Sequence, residues 1–358
     1  MKVLWLNGRP VKNPGGTEQH TVDFANSLKK VKDIELFLAV AKDSFVNSKL
    51  EDFNNKIYVK FKAEFAPRNS YKLIKESLRI KPDVIIANNG NEYVNAFVAG
   101  KLSKARIFLF RHMVANQPFT IKKFIFPNVD KILAVSDYVK EFLINEEKVD
   151  PDKIDVIYNF IDPEEFKYSD EKKKEIRKEL NFSEEDMIML FCGKVEIGKG
   201  INEFIEVFRI LKNKHKNLKA ILVGGGKKLK EIKKIFEGNK DILILGPQKK
   251  VAKFYIASDI FLMPTYANES FGRTIIEAFA TKTSVVATDL GNIPYLIKDG
   301  VNGFLTKVRD INDMIKKVNI LIENKQLRNK FQEESYQIYN KKFHKDVVFN
   351  KFLNLIKS

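Results

Sequence analysis

Along the chain, apolar runs of four to six residues alternate with amphipathic stretches of ten to fifteen, the pattern of parallel strands joined by crossover helices. In the first half the runs predict strands at 3–6, 34–40, 57–61, 84–87, 107–110, 132–135 and 154–157. Residues 17–30 place Val22, Ala25 and Leu28 at spacings of three, the stripe of an amphipathic helix with Thr17 as its expected cap. Ser136 opens another helix. Residues 159–170 break the rhythm with Asn, Asp-Pro and acidic residues, and a lysine-rich helix is expected at 171–180. Strands then resume at 187–192, 219–223, 242–245, 260–263, 284–287 and 303–305. The tail beyond Asp310 is helical in period and lacks strands, and its last stretch, 342–358, is expected to pack as a helix on the other domain. The pattern predicts an α/β chain of two Rossmann-like domains, 1–165 with the helix 342–358, and 166–341.

Composition narrows the class. A length of 358 residues with 44% hydrophobic and 30% charged residues fits two soluble globular domains and excludes a disordered or disulfide-stapled chain. The single cysteine, Cys192, cannot form an internal disulfide, and four scattered histidines do not make a structural zinc site. No run approaches the roughly 18 apolar residues of a bilayer span. The first apolar run is too short for a signal-peptide core, so a cytoplasmic location is expected, with any membrane contact peripheral on the inner face of the cytoplasmic membrane.

The net charge of +17 is unevenly spread: residues 1–140 carry 24 Lys/Arg against 13 Asp/Glu, whereas 141–170 carry 3 against 10. A lysine-rich genome, nucleic acid and an anionic membrane compete as explanations. The stretch 106–131 interleaves Phe108, Phe110, Phe119, Phe124 and Phe126 with Arg106, Arg111, Lys122, Lys123 and Lys131. Half of it reads as strand core, and 119–126 reads as a shallow amphipathic membrane contact.

Three loops carry candidate chemistry. Asn13-Pro14-Gly15-Gly16-Thr17-Glu18 lies between the first strand and first helix, and is either a phosphate cradle at a helix N-terminus or an ordinary turn with glycine at positive φ. It is not G-x-G-x-x-G, which disfavours a nicotinamide site. Gly-Lys-Val-Glu-Ile-Gly-Lys-Gly at 193–200 sets Lys194 and Lys199 on a glycine-bearing loop before a helix, suited to a diphosphate but lacking the Gly-Lys-Ser/Thr ending of an ATP-hydrolysing loop. In residues 264–277, Glu269 precedes a helix expected near Gly272, and Glu277 lies about one and a half turns inside it. Carboxylates so spaced accept hydrogen bonds from the paired hydroxyls of two sugar rings. Asn88, Asn89 and Asn91 follow a strand and offer amides suited to sugar hydroxyls, while Arg111 and His112 follow another.

Gly-Gly-Thr-Glu at 15–18, Gly-Lys…Lys-Gly at 193–200, Val-Gly-Gly-Gly at 223–226, Ala-Ser-Asp at 257–259 and the Glu269/Glu277 pair occur in an order and spacing that resembles glycosyltransferase family 4. Ala-Val-Ser-Asp at 134–137, Val-Ile-Tyr-Asn at 156–159 and Asp-Gly-Val-Asn-Gly-Phe at 299–304 extend the resemblance over nearly the whole chain. It implies the GT-B architecture, two Rossmann-like domains facing across a cleft, and a retaining enzyme that moves a sugar from a nucleoside diphosphate sugar, UDP-sugar foremost, to a hydroxyl of a glycan or lipid-linked acceptor. Cell-surface polysaccharide or glycolipid synthesis is the expected setting.

By the same resemblance, Glu277 holds the donor ribose, Glu269 the hydroxyls of the transferred sugar, with the backbone of Phe271 and Gly272 beside it. Lys194 and Lys199 bind the diphosphate, Gly15 and Gly16 approach it, the main chain near Gln248 reads the base, and His112 lies beside the reacting sugar. No cofactor, metal or nucleic acid is expected. The chain departs from the family at Lys194, usually Arg, and at Phe160, where an Asn-Gly turn is common. A nucleotide-sugar epimerase of the same architecture and a basic nucleic-acid-binding protein are the competing readings.

Overall fold

Each of the thirteen expected apolar runs forms a strand in the computed structural model, which describes residues 1–12, 15–61 and 66–358. In chain order they are β1 (Lys2–Asn7), β2 (Glu35–Val40), β3 (Lys56–Tyr58), β4 (Val84–Ala87), β5 (Arg106–Arg111), β6 (Lys131–Ala134), β7 (Ile154–Val156), β8 (Met187–Cys192), β9 (Leu218–Val223), β10 (Ile242–Leu245), β11 (Ile260–Met263), β12 (Ser284–Thr288) and β13 (Phe304–Thr306). The pairings between them are all parallel. Runs such as Val84–Ala87 are buried end to end, as strands covered by helices on both faces must be.

The chain divides into two units, Met1–Phe160 with Val348–Ser358, and Ile161–Val347, so the passages lie at 160/161 and 347/348 where the sequence suggests 165/166 and 341/342. The first unit holds a sheet of order β3-β2-β1-β4-β5-β6-β7, the second a sheet of order β10-β9-β8-β11-β12-β13. In each, strand order reverses once, at β1/β4 and at β8/β11. Loops leaving the carboxyl ends of those strands diverge there, which is where open α/β sheets hold ligands.

The first unit's core is aromatic. Trp5 stacks on Phe110 at 5.5 Å and meets Phe352 of the C-terminal helix Lys345–Lys357 at 5.8 Å, and Phe352 meets Phe24 edge-on at 5.0 Å. The expected return of the tail is thus made by burying a phenylalanine. Phe160 is 3% exposed and lies 4.8 Å from Phe24, packed into this core at the end of the unit. The second unit's core is aliphatic and phenylalanine-rich, with Phe204, Val207, Phe208 and Leu211 of helix Ile201–Lys214 packed with Met189 and Leu262.

One helix boundary differs from expectation. The first helix is Gly16–Leu28, its N-cap is Gly15 rather than Thr17, and the Glu18 carboxylate accepts from the Gly15 N–H at 2.9 Å. Gly15 has φ −109° and Gly16 is not among the positive-φ glycines, so this turn does not need glycine for its backbone conformation. Asn13 and Pro14 of the same loop lie outside the described residues.

Candidate functional site

In the second unit the chemistry gathers at β8/β11. The loop after β8 turns through the short 3-10 segment Ile197–Lys199 into helix Ile201–Lys214, with Gly200 at φ 76° as the hinge. A side chain at Gly200 would collide with the Pro264 carbonyl, its Cβ falling 1.9 Å away, so glycine lets this loop lie directly on the one after β11. The contact is hydrogen-bonded: the Gly198 carbonyl accepts from the N–H of Tyr266 (3.1 Å) and Ala267 (2.9 Å). Gly224, at φ 141°, serves similarly for the β9 loop, whose backbone touches Gly193.

The two loops bring Lys199 and Glu269 together as an ion pair, with 30% and 18% of the side chains exposed. The Glu269 carbonyl is held by the Asn292 N–H at 2.8 Å, while the Asn292 side chain donates to the Phe271 carbonyl at 2.7 Å. Gly272, at φ 88°, caps helix Arg273–Ala280, the helical start expected near it. Glu277, 7% exposed, accepts from Arg273 Nε at 3.3 Å. Burial pushes the Glu277 carboxyl up, against the nearby Arg273 charge. Beside it burial also raises the Cys192 thiol, to about 12, and the Tyr255 phenol, so neither carries charge near neutrality. Lys194 is exposed after β8, and Gln248 is exposed on the loop after β10, at the same end of the sheet.

In the first unit the candidates gather at β1/β4 and at the end of β5. Gly15 and Gly16 are exposed at the helix start, and a Cβ on Gly16 would meet nothing within 4 Å. Asn88 is fully buried; its Nδ2 donates to the Thr17 carbonyl (3.2 Å) and its Oδ1 faces His112 Nε2 (3.2 Å). That contact fixes Nε2 as the protonated nitrogen of a neutral imidazole. Burial, then the Arg111 charge, push His112 down to about 3. Asn89 caps the turn Gly90–Glu92, and the Asn91 carbonyl accepts from Asn95 Nδ2. Asn89 therefore shapes the loop, while Asn88 reaches the histidine.

Arg111 stands differently from its sequence assignment as an acceptor contact. It is 4% exposed, bonds the Ala115 carbonyl and faces Glu147 at 3.6 Å, so its guanidinium braces the loop from inside. The expected membrane stretch also divides: Phe126, 2% exposed, is core together with Phe108 and Phe110, while Phe119 and Phe124 are exposed.

Two residues escaped the sequence reading. His20 is buried, bonds Asn159 Oδ1 at 2.7 Å and lies edge-on to His112 at 4.8 Å. Glu92, fully buried, accepts from the N–H groups of Gly8 (2.7 Å), Asn88 (3.0 Å) and Asn89 (3.0 Å), tying the β1 loop to the β4 loop. The Asn89-x-x-Glu92 spacing, a capping box, was its only sequence signal. Among the described residues no group of three or more His, Cys, Asp or Glu is placed to hold a metal ion.

Residues 14–165 match the family profile described as Glycosyltransferase Family 4, and residues 172–338 that described as Glycosyl transferases group 1. The chain is similar to the lipopolysaccharide 1,2-N-acetylglucosaminetransferase of Salmonella typhimurium, 26% identical over 63% of this chain and 59% of that protein. It thus spans about three fifths of the length of that relative. An uncharacterized glycosyltransferase of Methanocaldococcus jannaschii is 27% identical over 90% of both chains. Among solved structures, HepE of Anabaena in complex with UDP superposes with a TM-score of 0.82 at 20% identity, covering 100% of each chain. That likeness shows the GT-B-like fold of two parallel-sheet domains.

Proposed function

Because the chain belongs to glycosyltransferase family 4 and is a glycosyltransferase, we propose that it transfers a sugar from UDP-sugar to a hydroxyl of a glycan or lipid-linked acceptor with retention at the anomeric carbon. The observation that carries the donor reading is the anchored Lys199–Glu269 pair at β8/β11, with Glu277 on the following helix. HepE, whose fold this chain shares, is described in complex with UDP and with UDP-glucose, which supports a uridine diphosphate donor.

In this reading the ribose hydroxyls donate to the buried Glu277 carboxylate. Glu269 accepts from hydroxyls of the transferred sugar, beside the Phe271 and Gly272 backbone. Lys194, Lys199 and the helix start after Gly200 neutralise the diphosphate as the glycosidic bond breaks, and the Gln248 main chain meets the base. Charge developing on the leaving oxygens is met by groups already held in place, and the oxocarbenium-like sugar is attacked by the acceptor hydroxyl on the face the diphosphate leaves. The nucleotide sugar is substrate, and the lysines do the work a metal does elsewhere. Within the first unit, neutral His112 is oriented by Asn88, and Gly15 and Gly16 stand at a helix N-terminus of the kind that suits phosphate.

The similarity to a lipopolysaccharide enzyme supports a surface-glycan or glycolipid setting, at the inner face of the cytoplasmic membrane. A thermal-shift screen of nucleoside diphosphates and their sugars tests the donor, because selective binding stabilises by RT ln(1 + [L]/Kd). UDP and one UDP-sugar should raise Tm well above other nucleotides. Product analysis then separates transfer from epimerisation: a free epimerised sugar with no glycoside formed would sink the transferase reading.

A further inference from the structure

Six of the fourteen large apolar side chains exposed among the described residues lie on three elements of the first unit: Tyr71, Leu78, Val98, Leu102, Phe119 and Phe124. The elements are helix Pro67–Ile80, helix Tyr93–Ser103 and residues 119–125, together about a tenth of the chain. Helix Tyr93–Ser103 packs against both others. The crossovers β3 to β4, β4 to β5 and β5 to β6 all step the same way across the sheet, so their right-handedness puts the three elements on one face. On helix Pro67–Ile80, Tyr71, Lys75 and Leu78 form one stripe while Leu73, Ser77 and Ile80 are buried on the other side.

Charge on these elements has one sign. They carry seven Lys and Arg and a single carboxylate, Glu76, which is already paired with Arg79 at 2.7 Å. Lys123 stands over the rings of both Phe119 and Phe124, at 5.3 and 5.6 Å, a cation beside the apolar groups. Protein interfaces are depleted in lysine at their cores, and a phosphodiester backbone has no use for exposed leucine and valine. Shallow apolar insertion with cations at headgroup depth is what an anionic bilayer accepts.

We propose that this three-element face is the surface by which the protein docks on anionic lipid bilayers. The docking deepens the reading of a membrane-presented acceptor, yet stands on surface residues alone. The test is co-sedimentation of the full chain with vesicles of phosphatidylcholine alone and of phosphatidylcholine mixed with phosphatidylglycerol, at physiological salt. Binding to the anionic vesicles is expected, at least about tenfold weaker on neutral ones. Tyr71→Ser with Leu78→Ser, and separately Phe119→Ser with Phe124→Ser, should each lower partition about tenfold or more. Lys75→Glu with Lys101→Glu, both at exposed positions, should abolish the preference for anionic lipid even if an apolar variant fails to fold. No vesicle binding by the parent chain overturns the proposal. So does a Tyr71/Leu78 variant that folds and binds like the parent, or a set of variants that alters self-association or heparin binding and leaves lipid binding intact. UDP stabilisation, measured on the same proteins, reports on the donor reading separately.

Discussion

Lys199 and Glu269, seventy residues apart, form an ion pair across the loops that follow β8 and β11. The pair sits on backbone that is hydrogen-bonded loop to loop through the Gly198 carbonyl, so the two side chains are placed before any ligand arrives. A donor binding there has to share or displace this contact. Glu269→Ala is therefore expected to spare UDP affinity and to lower turnover about a hundredfold, a loss of about 2.7 kcal/mol in the transition state. Lys199→Ala should lose more activity than Lys199→Arg, since the leaving diphosphate needs charge more than shape. Steady-state kinetics at saturating donor decide this, and equal rates for the two Lys199 variants would place the residue outside the chemistry.

Glu277 offers a second test. Its carboxyl is buried and held against Arg273, with its proton affinity raised by desolvation. Removing a charged hydrogen-bond acceptor for ribose should cost roughly 1.5 to 3 kcal/mol of binding. Calorimetry on Glu277→Ala should show UDP and UDP-sugar weakened together. Affinity for UDP should also fall as pH drops, because the protonated acid loses its full acceptor capacity, and that trend should vanish in Glu277→Gln.

The second unit was the more legible of the two. Its glycines, lysines and glutamates fall in runs next to strands, and each local requirement, such as the Gly200 contact with Pro264, leaves a mark in the sequence. The strands were legible throughout, because a parallel strand buried on both faces must be apolar along its length. What hid was the direction of single polar side chains. Arg111 ends β5 next to His112 and turns inward to Glu147, and Phe126 turns inward where Phe124 two residues earlier does not. His20 reads as one polar position on a helix, and only the fold brings Asn159 and His112 to it.

His112 gives a pH prediction with a definite sign. Its folded value lies at about 3 against 6.5, so it stays neutral over the working range. Its contribution to stability is complete above about pH 6.5 and is lost as pH falls toward 3. Denaturant melts of His112→Asn should show a shallower acid-side loss than the parent over that window. The pH–rate profile of the parent should carry no limb near 6.5 that disappears in the variant; such a limb would show an imidazole that titrates during catalysis.

Glu92 reverses that sign. Burial raises its carboxyl from 4.5 to about 8, against three N–H donors from Gly8, Asn88 and Asn89 that pull the other way. Between those values the folded chain keeps a proton that the unfolded chain has released, so this group's contribution is full below 4.5 and is lost as pH rises through about 8. Glu92→Gln keeps one acceptor oxygen and cannot ionise, so urea melts from about pH 5 to about pH 8 should show a flatter stability profile than the parent. Because Glu92 ties the β1 loop to the Asn88 loop, the same variant should also loosen the Asn88–His112 contact and lower kcat more than it raises KM. Parallel stability profiles with unchanged kcat would mean that the carboxylate neither titrates in this range nor positions the histidine.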